Sequence, residues 1–158
     1  MAEQTNRYNQ PPRRDGNQSQ QASNIRSLPS ISIDLLSRVF TSDDINLLES
    51  WGRYLGKDEE GREKMTTSQV RKFFGEIKRI QVDFDNAKKD IVLLDPKIAY
   101  AVGRAKKAAG SRRTPKLEDF YKQLSPLIRN INSDKAKFKN FVSICEAIVA
   151  YHKAESGD

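Results

Sequence analysis

The chain has 158 residues, a formal net charge of +7 and a pI near 9.5, values that favour a single basic domain with polyanionic partners. No apolar run approaches the roughly 20 residues that cross a bilayer, and the N-terminus lacks the apolar core of a secretory signal. The one cysteine, Cys145, has no partner for a disulfide. We therefore expect a soluble, cytoplasmic protein without a membrane partner.

Composition changes near residue 30. Residues 1–30 are rich in Gln, Asn, Ser, Pro and Arg and contain almost no aliphatic residue before Ile25. Such a segment buries too little apolar surface to offset the entropy of ordering, so we predict a disordered tail over 1–30. Its arginines leave weak contact with an anion open. Residues 31–158 are predicted to form a helical bundle domain.

The first half of this domain shows helical periods separated by a polar loop. Residues 31–40 predict a short leading helix, and the capped amphipathic pattern over 42–55 predicts a longer one. The polar stretch over 56–64 indicates an exposed loop. One of the hydroxyl residues at 66–68 then caps a helix over 67–80. The apolar face of this helix consists of Val70, Phe73, Phe74, Ile77, Ile80 and Phe84.

Three more helical segments follow. The pair Asp95-Pro96 predicts a helix start, with the aspartate as cap and the proline in the first helical position. A mobile basic loop is predicted over 109–115. A further helix is predicted over 117–131, with Pro126 as the site of a kink, and a long final helix over 134–153.

The whole pattern is helical. No segment sustains the apolar and polar alternation of a strand, and no repeat recurs at a period of twenty to fifty residues. We therefore predict an all-α fold, a compact bundle of about five helices with a disordered N-terminal tail. A domain of this size buries roughly two thirds of the surface that the unfolded chain exposes.

Residue types that carry catalysis are scarce. His152 is the single histidine, and its place near the end of the last helix favours a dipole-stabilised or half-buried side chain over a general base. Cys145 falls on an apolar face and is predicted to be core. Asp83 and Asp85 would splay by about 200° on a helix, so they do not converge on a metal. We predict no catalytic residue, no metal and no cofactor.

Basic charge is concentrated in the middle of the chain. Residues 66–116 hold thirteen basic and five acidic residues, a net charge of +8. Two adjacent antiparallel helices would merge these cations into one surface suited to phosphate groups, although spacing alone equally allows two solvated helix faces. The candidate cations are Arg71, Lys72 and Lys78 on the first helix, and Lys97, Arg104 and Lys107, with Tyr100 among them, on the next.

Three sequence blocks carry a family resemblance: TTSQVR over 66–71, YAVGR over 100–104 and FVSICEAIVAYHK over 141–153. In this order they resemble the small subunit of the type III-A CRISPR effector, the Csm complex. The resemblance spans about residues 40–153 and leaves the predicted tail outside.

The resemblance implies a non-catalytic RNA-binding subunit of an antiviral ribonucleoprotein. Such a subunit stacks in several copies along the backbone subunits, works with them and with the large subunit, and contacts guide RNA and target RNA without reading sequence. In this family, target RNA is cut by the backbone subunit. Arg71 and Arg104 match the family's motif arginines and are the first candidates for phosphate contact; Lys72, Lys78, Lys97 and Lys107 come from the helical faces.

Two other functions remain as alternatives. The same basic face would suit a helical adaptor that binds acidic protein surfaces and no RNA. A small nuclease is the weaker alternative, because the chain lacks the residue clusters that such chemistry needs.

Overall fold

The computed structural model describes residues 28–157, which confirm the predicted all-α bundle of about five helices. Within these residues, five long helices are joined by one short helix, two 3-10 helices and a pair of two-residue strands. Residues 1–27 of the predicted tail over 1–30 lie outside the described residues. The helices are α1 Ser42–Gly56, α2 Thr67–Val82, α3 Phe84–Ala87, α4 Leu94–Ala109, α5 Leu117–Ile131 and α6 Lys135–Ser156.

Leu28 and Pro29, near the end of the predicted tail, contact the bundle. The Pro29 carbonyl accepts a hydrogen bond from Trp51 Nε1 at 2.9 Å. Leu28 is partly buried against the core. The folded domain therefore includes residues 28–30, which the composition assigns to the tail.

Side-chain caps fix where three of the helices begin. Thr41 and Asp44 form a capping box at the start of α1, in which each side chain bonds the backbone amide of the other residue. Thr66 and Gln69 form the same arrangement at α2, which confirms the predicted hydroxyl cap. Asp134 caps α6. These side chains satisfy amide groups that a helix start leaves without a partner.

Helices α1 and α6 run parallel and lie very close together. A Cβ atom added at Gly52 would lie 2.6 Å from the Ile148 carbonyl oxygen, and one added at Gly56 would lie 2.7 Å from the His152 carbonyl oxygen. Residue numbers therefore increase in the same direction along α1 and α6, as in a parallel pair. The two backbones approach so closely that no side chain fits between them, which is why both positions need glycine.

The core fills the space between this helix pair and the remaining helices. Phe141 of α6 is fully buried, and the Phe73 and Phe120 rings meet edge to face with their centroids 5.4 Å apart. Phe73 and Phe74 themselves are only half-buried. The rest of the predicted α2 apolar face is buried: Val70, Ile77, Ile80 and Phe84.

The predicted leading helix over 31–40 is wrong in extent. A 3-10 helix of four residues, Ile33–Leu36, stands in its place. The Asn140 side-chain amide donates to the Leu35 carbonyl at 3.0 Å and to the Leu36 carbonyl at 3.2 Å. Because these carbonyls bond a side chain of α6, they do not serve a further helical turn.

The predicted Asp95 cap of α4 is also wrong. The 3-10 helix Lys88–Leu93 runs directly into α4, and the Leu94 amide bonds the Ile91 carbonyl at the junction. Asp95 is buried in the first turn and accepts hydrogen bonds from Arg129 Nη2 at 2.7 Å and Nε at 3.2 Å. Its carboxylate therefore joins α4 to α5.

The two loops that the sequence predicts are joined to each other. Strand β1, Arg62–Glu63, pairs in parallel with strand β2, Thr114–Pro115. Arg113 donates from Nη2 to Asp58 Oδ1 at 2.8 Å. The prediction of a mobile loop over 109–115 therefore does not hold for its last three residues, which are paired with the other loop.

Lys116 is fully buried at the end of α1, although lysine is normally exposed. Its Nζ donates to the Tyr54 carbonyl at 2.8 Å and to the Lys57 carbonyl at 2.7 Å, and it lies 3.3 Å from Glu59 Oε2. Burial lowers the pKa of this amine, while the Glu59 charge acts in the opposite direction. Lys116 thus caps the end of α1 from a distant part of the chain.

Gly52→Ala should lower the free energy of unfolding by about 1–3 kcal/mol, because the added methyl group overlaps α6. Gly75→Ala is the matched control, since nothing lies within 4 Å of a Cβ added at that helical glycine. The control should raise the same free energy by about 0.5–1 kcal/mol. Urea unfolding measures both values. Changes of the same sign would contradict the close contact between α1 and α6.

Lys116→Met should lower the free energy of unfolding by about 2 kcal/mol or more, because the two carbonyls at the α1 end lose their buried donor. Lys122→Met, at an exposed lysine of α5, should change it by less than about 0.5 kcal/mol. Thermal or urea unfolding of the two variants in one buffer gives the comparison. A Lys116→Met protein as stable as the wild type would show that these carbonyls do not depend on the amine.

Candidate nucleic-acid interface

Helices α2 and α4 are neighbours and run antiparallel. Lys97 Nζ lies 2.5 Å from Glu76 Oε2, and Arg79 Nη2 lies 3.0 Å from Asp90 Oδ2. Arg79 follows Glu76 on α2, whereas its partner Asp90 precedes Lys97 in the chain. This reversed order is that of an antiparallel pair. The two basic helices that the sequence indicates therefore lie side by side.

Four of the six candidate cations are exposed and unpaired. Arg71 and Lys72 lie near the start of α2, whereas Arg104 and Lys107 lie in the second half of α4. Among residues 28–157, none of the four has a hydrogen bond, an ion pair or a ring contact for its side chain. We call these four side chains the basic surface.

The other two candidates form ion pairs with the bundle. Lys78 Nζ lies 2.5 Å from Glu146 Oε1 on α6 and 5.2 Å from the centre of the Phe74 ring. Lys97 is held by Glu76 at 2.5 Å. Both lysine side chains are about half exposed, so water screens these pairs and weakens them. Lys78 and Lys97 thus connect α2 to its two neighbours.

A further unpaired cation, which the sequence left unassigned, follows the end of α4. Arg112 is exposed just beyond the end of α4 and has no side-chain partner within the part of the chain that the structure describes. Lys106, another cation near the end of α4, instead pairs with Glu118 of α5 at 2.8 Å. Arg112 lies in the predicted basic loop, so its charge was visible in the sequence but its position beside α4 was not.

The histidine and the cysteine considered for catalysis are both buried inside the bundle. His152 is buried, not half-buried as predicted, and its Nε2 donates to the Met65 carbonyl at 2.8 Å. Cys145 is fully buried as predicted, and burial raises the pKa of its thiol. Within residues 28–157, no group of three or more His, Cys, Asp or Glu is placed to hold a metal ion. None of the described helices has the length and apolar character to span a membrane.

Comparison with known proteins now identifies the family. The family model described as Csm2 Type III-A matches residues 42–158, from the first residue of α1 onward. The chain belongs to the Csm2 family. Csm2 is a structural small subunit of the type III-A Csm complex, where it works with the other subunits. No curated protein and no solved structure gives a significant match to the chain.

The Csm2 match contains both basic helices and the whole α1–α6 pair. All six candidate cations lie inside the matched range, and so do the three sequence blocks that resemble the family. The 3-10 helix Ile33–Leu36 and the segment before it lie outside the match. The family relationship therefore applies to the helical bundle itself.

Glu76→Gln should test the ion pairs between α2 and α4. The hydrogen bond from Lys97, helped by the charges of Lys97 and Arg79, holds the pKa of Glu76 below its ordinary value of 4.5. Because the folded-state pKa is the lower one, the carboxylate stabilises the fold above that value, and the stabilisation is lost as the pH falls through the folded-state pKa. Solvent screening limits the effect to less than about 1 kcal/mol.

The measurement is the free energy of unfolding of wild type and Glu76→Gln across the acidic range. We expect the wild type to be the more stable protein near neutral pH and the difference to shrink on acidification. A difference that grows as the pH falls would contradict this assignment.

Proposed function

We propose that this Csm2 protein binds the phosphate backbone of guide RNA and target RNA in the type III-A effector complex without reading their sequence. The basic surface makes the contact, and base pairing between guide and target supplies specificity. The protein is non-catalytic, acts in the cytoplasm in antiviral defence, and stacks in several copies along the backbone subunits.

One observation carries this proposal: four exposed cations on two rigid helices have no partner among the described residues. Other cations of the two helices pair with carboxylates, as at Lys78 and Lys97. An unpaired cation on a helix is free to bind an anion, and two of the four are arginines, whose planar fork bonds two phosphate oxygens together. The surface therefore offers phosphate contacts at no loss of internal ion pairs.

The antiparallel register supports a single site. Counting from the contact between Glu76 and Lys97, Arg71 lies about one and a half turns toward the start of α2, and Arg104 lies about two turns toward the end of α4. Because the helices are antiparallel, both shifts run in the same direction along the pair. The four cations thus lie toward the same end of the pair, with Arg71, seven positions from Lys78, on the side of α2 that faces α6. We include Lys78 and Lys97 as secondary RNA contacts, since phosphate would have to displace their carboxylate partners.

The opposite end of the helix pair suits contact with protein. Val82 ends α2 with 87% of its surface exposed, and Val92 and Leu93, just before α4, are 57% and 48% exposed. The Arg79–Asp90 pair joins the two segments that carry them. Exposed apolar side chains that lie together form the kind of patch that subunit contacts use. We assign this end to neighbouring Csm subunits or further copies of the chain.

Arg71→Glu and Arg104→Glu should each weaken binding to RNAs of unrelated sequence by a similar factor. Each should also reduce the slope of log affinity against log salt by about 0.7–0.9, the value for one lost phosphate contact. Filter binding over a salt series, with the isolated protein and with assembled complex, gives both quantities. Lys139→Glu is the matched control, since this exposed lysine of α6 also lacks a side-chain partner among the described residues but lies outside the basic surface.

The two alternatives make different predictions in the same experiment. An adaptor that binds only protein would retain no RNA at low salt as the isolated protein, yet Arg71→Glu would still weaken its association with the other subunits. Metal-dependent degradation of RNA by protein purified from two unrelated hosts would support a nuclease. Equal effects of Lys139→Glu and Arg104→Glu would show that total charge, not the basic surface, determines binding.

A further inference from the structure

Gly103 lies inside α4, where the fold itself does not need a glycine. A glycine within a helix is less stable than alanine there, because its unfolded chain loses more conformational freedom. At Gly52 and Gly56 the close contact with α6 explains this choice. At Gly103 an added Cβ would have no atom within 4 Å, and the residue is exposed. Gly75 of α2 is equally open, but Gly103 has the exposed Tyr100 ring one turn away, so its bare backbone lies beside a side chain that an external ligand would meet.

Tyr100 is the second unexplained residue on the same face. Its side chain is 67% exposed, and it has neither a hydrogen bond nor a ring contact among residues 28–157. Tyr100 precedes Gly103 by three positions and Arg104 by four, so the three residues are neighbours on the helix surface. Gly103 in turn precedes Lys107 by four positions. The Tyr100 ring, which has no partner, thus lies beside the side-chain-free backbone of Gly103 and beside two unpaired cations.

We propose that Tyr100 and Gly103 form a binding position for one unpaired nucleotide, which deepens the RNA-binding function proposed above and rests on it. The base stacks on the Tyr100 ring, because aromatic side chains stack on the face of any base. The sugar-phosphate backbone passes over Gly103, where no side chain holds it away from the helix. Arg104 and Lys107 bind the flanking phosphates.

The geometry of stacking defines the kind of RNA that this position accepts. Inside a duplex both faces of a base are covered by its neighbours, so the Tyr100 ring has full access only to a base that is unpaired or turned out of the helix. RNA is favoured over an acidic protein segment because the ring stands between cations, a combination found in proteins that bind single strands. The basic surface thus gains a preference for unpaired nucleotides.

Salt dependence separates the ring from the cations. In the full-length protein, Tyr100→Ala should weaken binding to a single-stranded RNA on the order of tenfold. The slope of log affinity against log salt should not change, since no phosphate contact is lost. Tyr100→Phe keeps the ring and should bind as the wild type does. A blunt-ended RNA duplex should bind wild type and Tyr100→Ala equally.

Gly103→Ala should raise the melting temperature and yet weaken binding to the same single-stranded RNA several-fold, because the methyl group improves the helix but separates it from the RNA backbone. The matched control is Asn46→Ala at an exposed position of α1. It should also raise the melting temperature, with no effect on RNA affinity. Irradiation of a complex with an RNA that carries one unpaired iodouridine should crosslink the base to Tyr100, as located by mass spectrometry of the peptides.

The outcomes distinguish this inference from the function on which it rests. If wild type binds RNA and Arg104→Glu weakens that binding, but Tyr100→Ala and Gly103→Ala bind like wild type, the nucleotide position is wrong and the proposed function stands. If neither the wild-type chain nor the assembled complex retains RNA, both are wrong. A loss of affinity in Tyr100→Ala that is the same for blunt duplex and for single strand would overturn the preference for an unpaired base.

Discussion

The contact between α1 and α6 is the constraint on which the remaining structure depends. Gly52 and Gly56 let the two backbones meet, which makes a parallel pair that the other helices cover. Phe141 of α6 lies at the centre of the core, and Glu146 on the outer side of α6 receives Lys78 of α2. The ion pairs Lys78–Glu146 and Lys97–Glu76 then link α2 and α4 to this helix pair.

This scaffold divides the basic residues of the middle segment between two tasks. Carboxylates hold some of the cations, so that Lys78, Arg79 and Lys97 connect one helix to the next. The basic surface belongs to the group that the scaffold leaves unpaired, which also includes Lys88, Lys89 and Arg112. A charge count treats both groups alike, whereas the binding of an anion depends on the second group, since a cation in an ion pair must first lose its partner.

Local patterns predicted most of this fold, and distant contacts account for what they missed. Helices α1, α2, α5 and α6 follow from apolar periods and caps such as Thr66, which involve residues a few positions apart. The burial of Lys116 depends on carbonyls about sixty positions away, and the pairing of Lys78 depends on Glu146, so no local pattern indicates either. For the same reason the sequence predicted six candidate cations without separating the four that stay unpaired.

The parallel direction of α1 and α6 gives Lys116 a second role. Parallel neighbours place like ends of their macrodipoles side by side, and the approach of Gly56 to His152 shows that α1 and α6 finish at the same end of the molecule. Two partial negative charges are thus brought together there. The Lys116 ammonium, which bonds carbonyls of the last α1 turn, supplies the opposing charge at that point. The parallel pair of α1 and α6, in contact along its backbones, therefore has a buried cation at its C-terminal end.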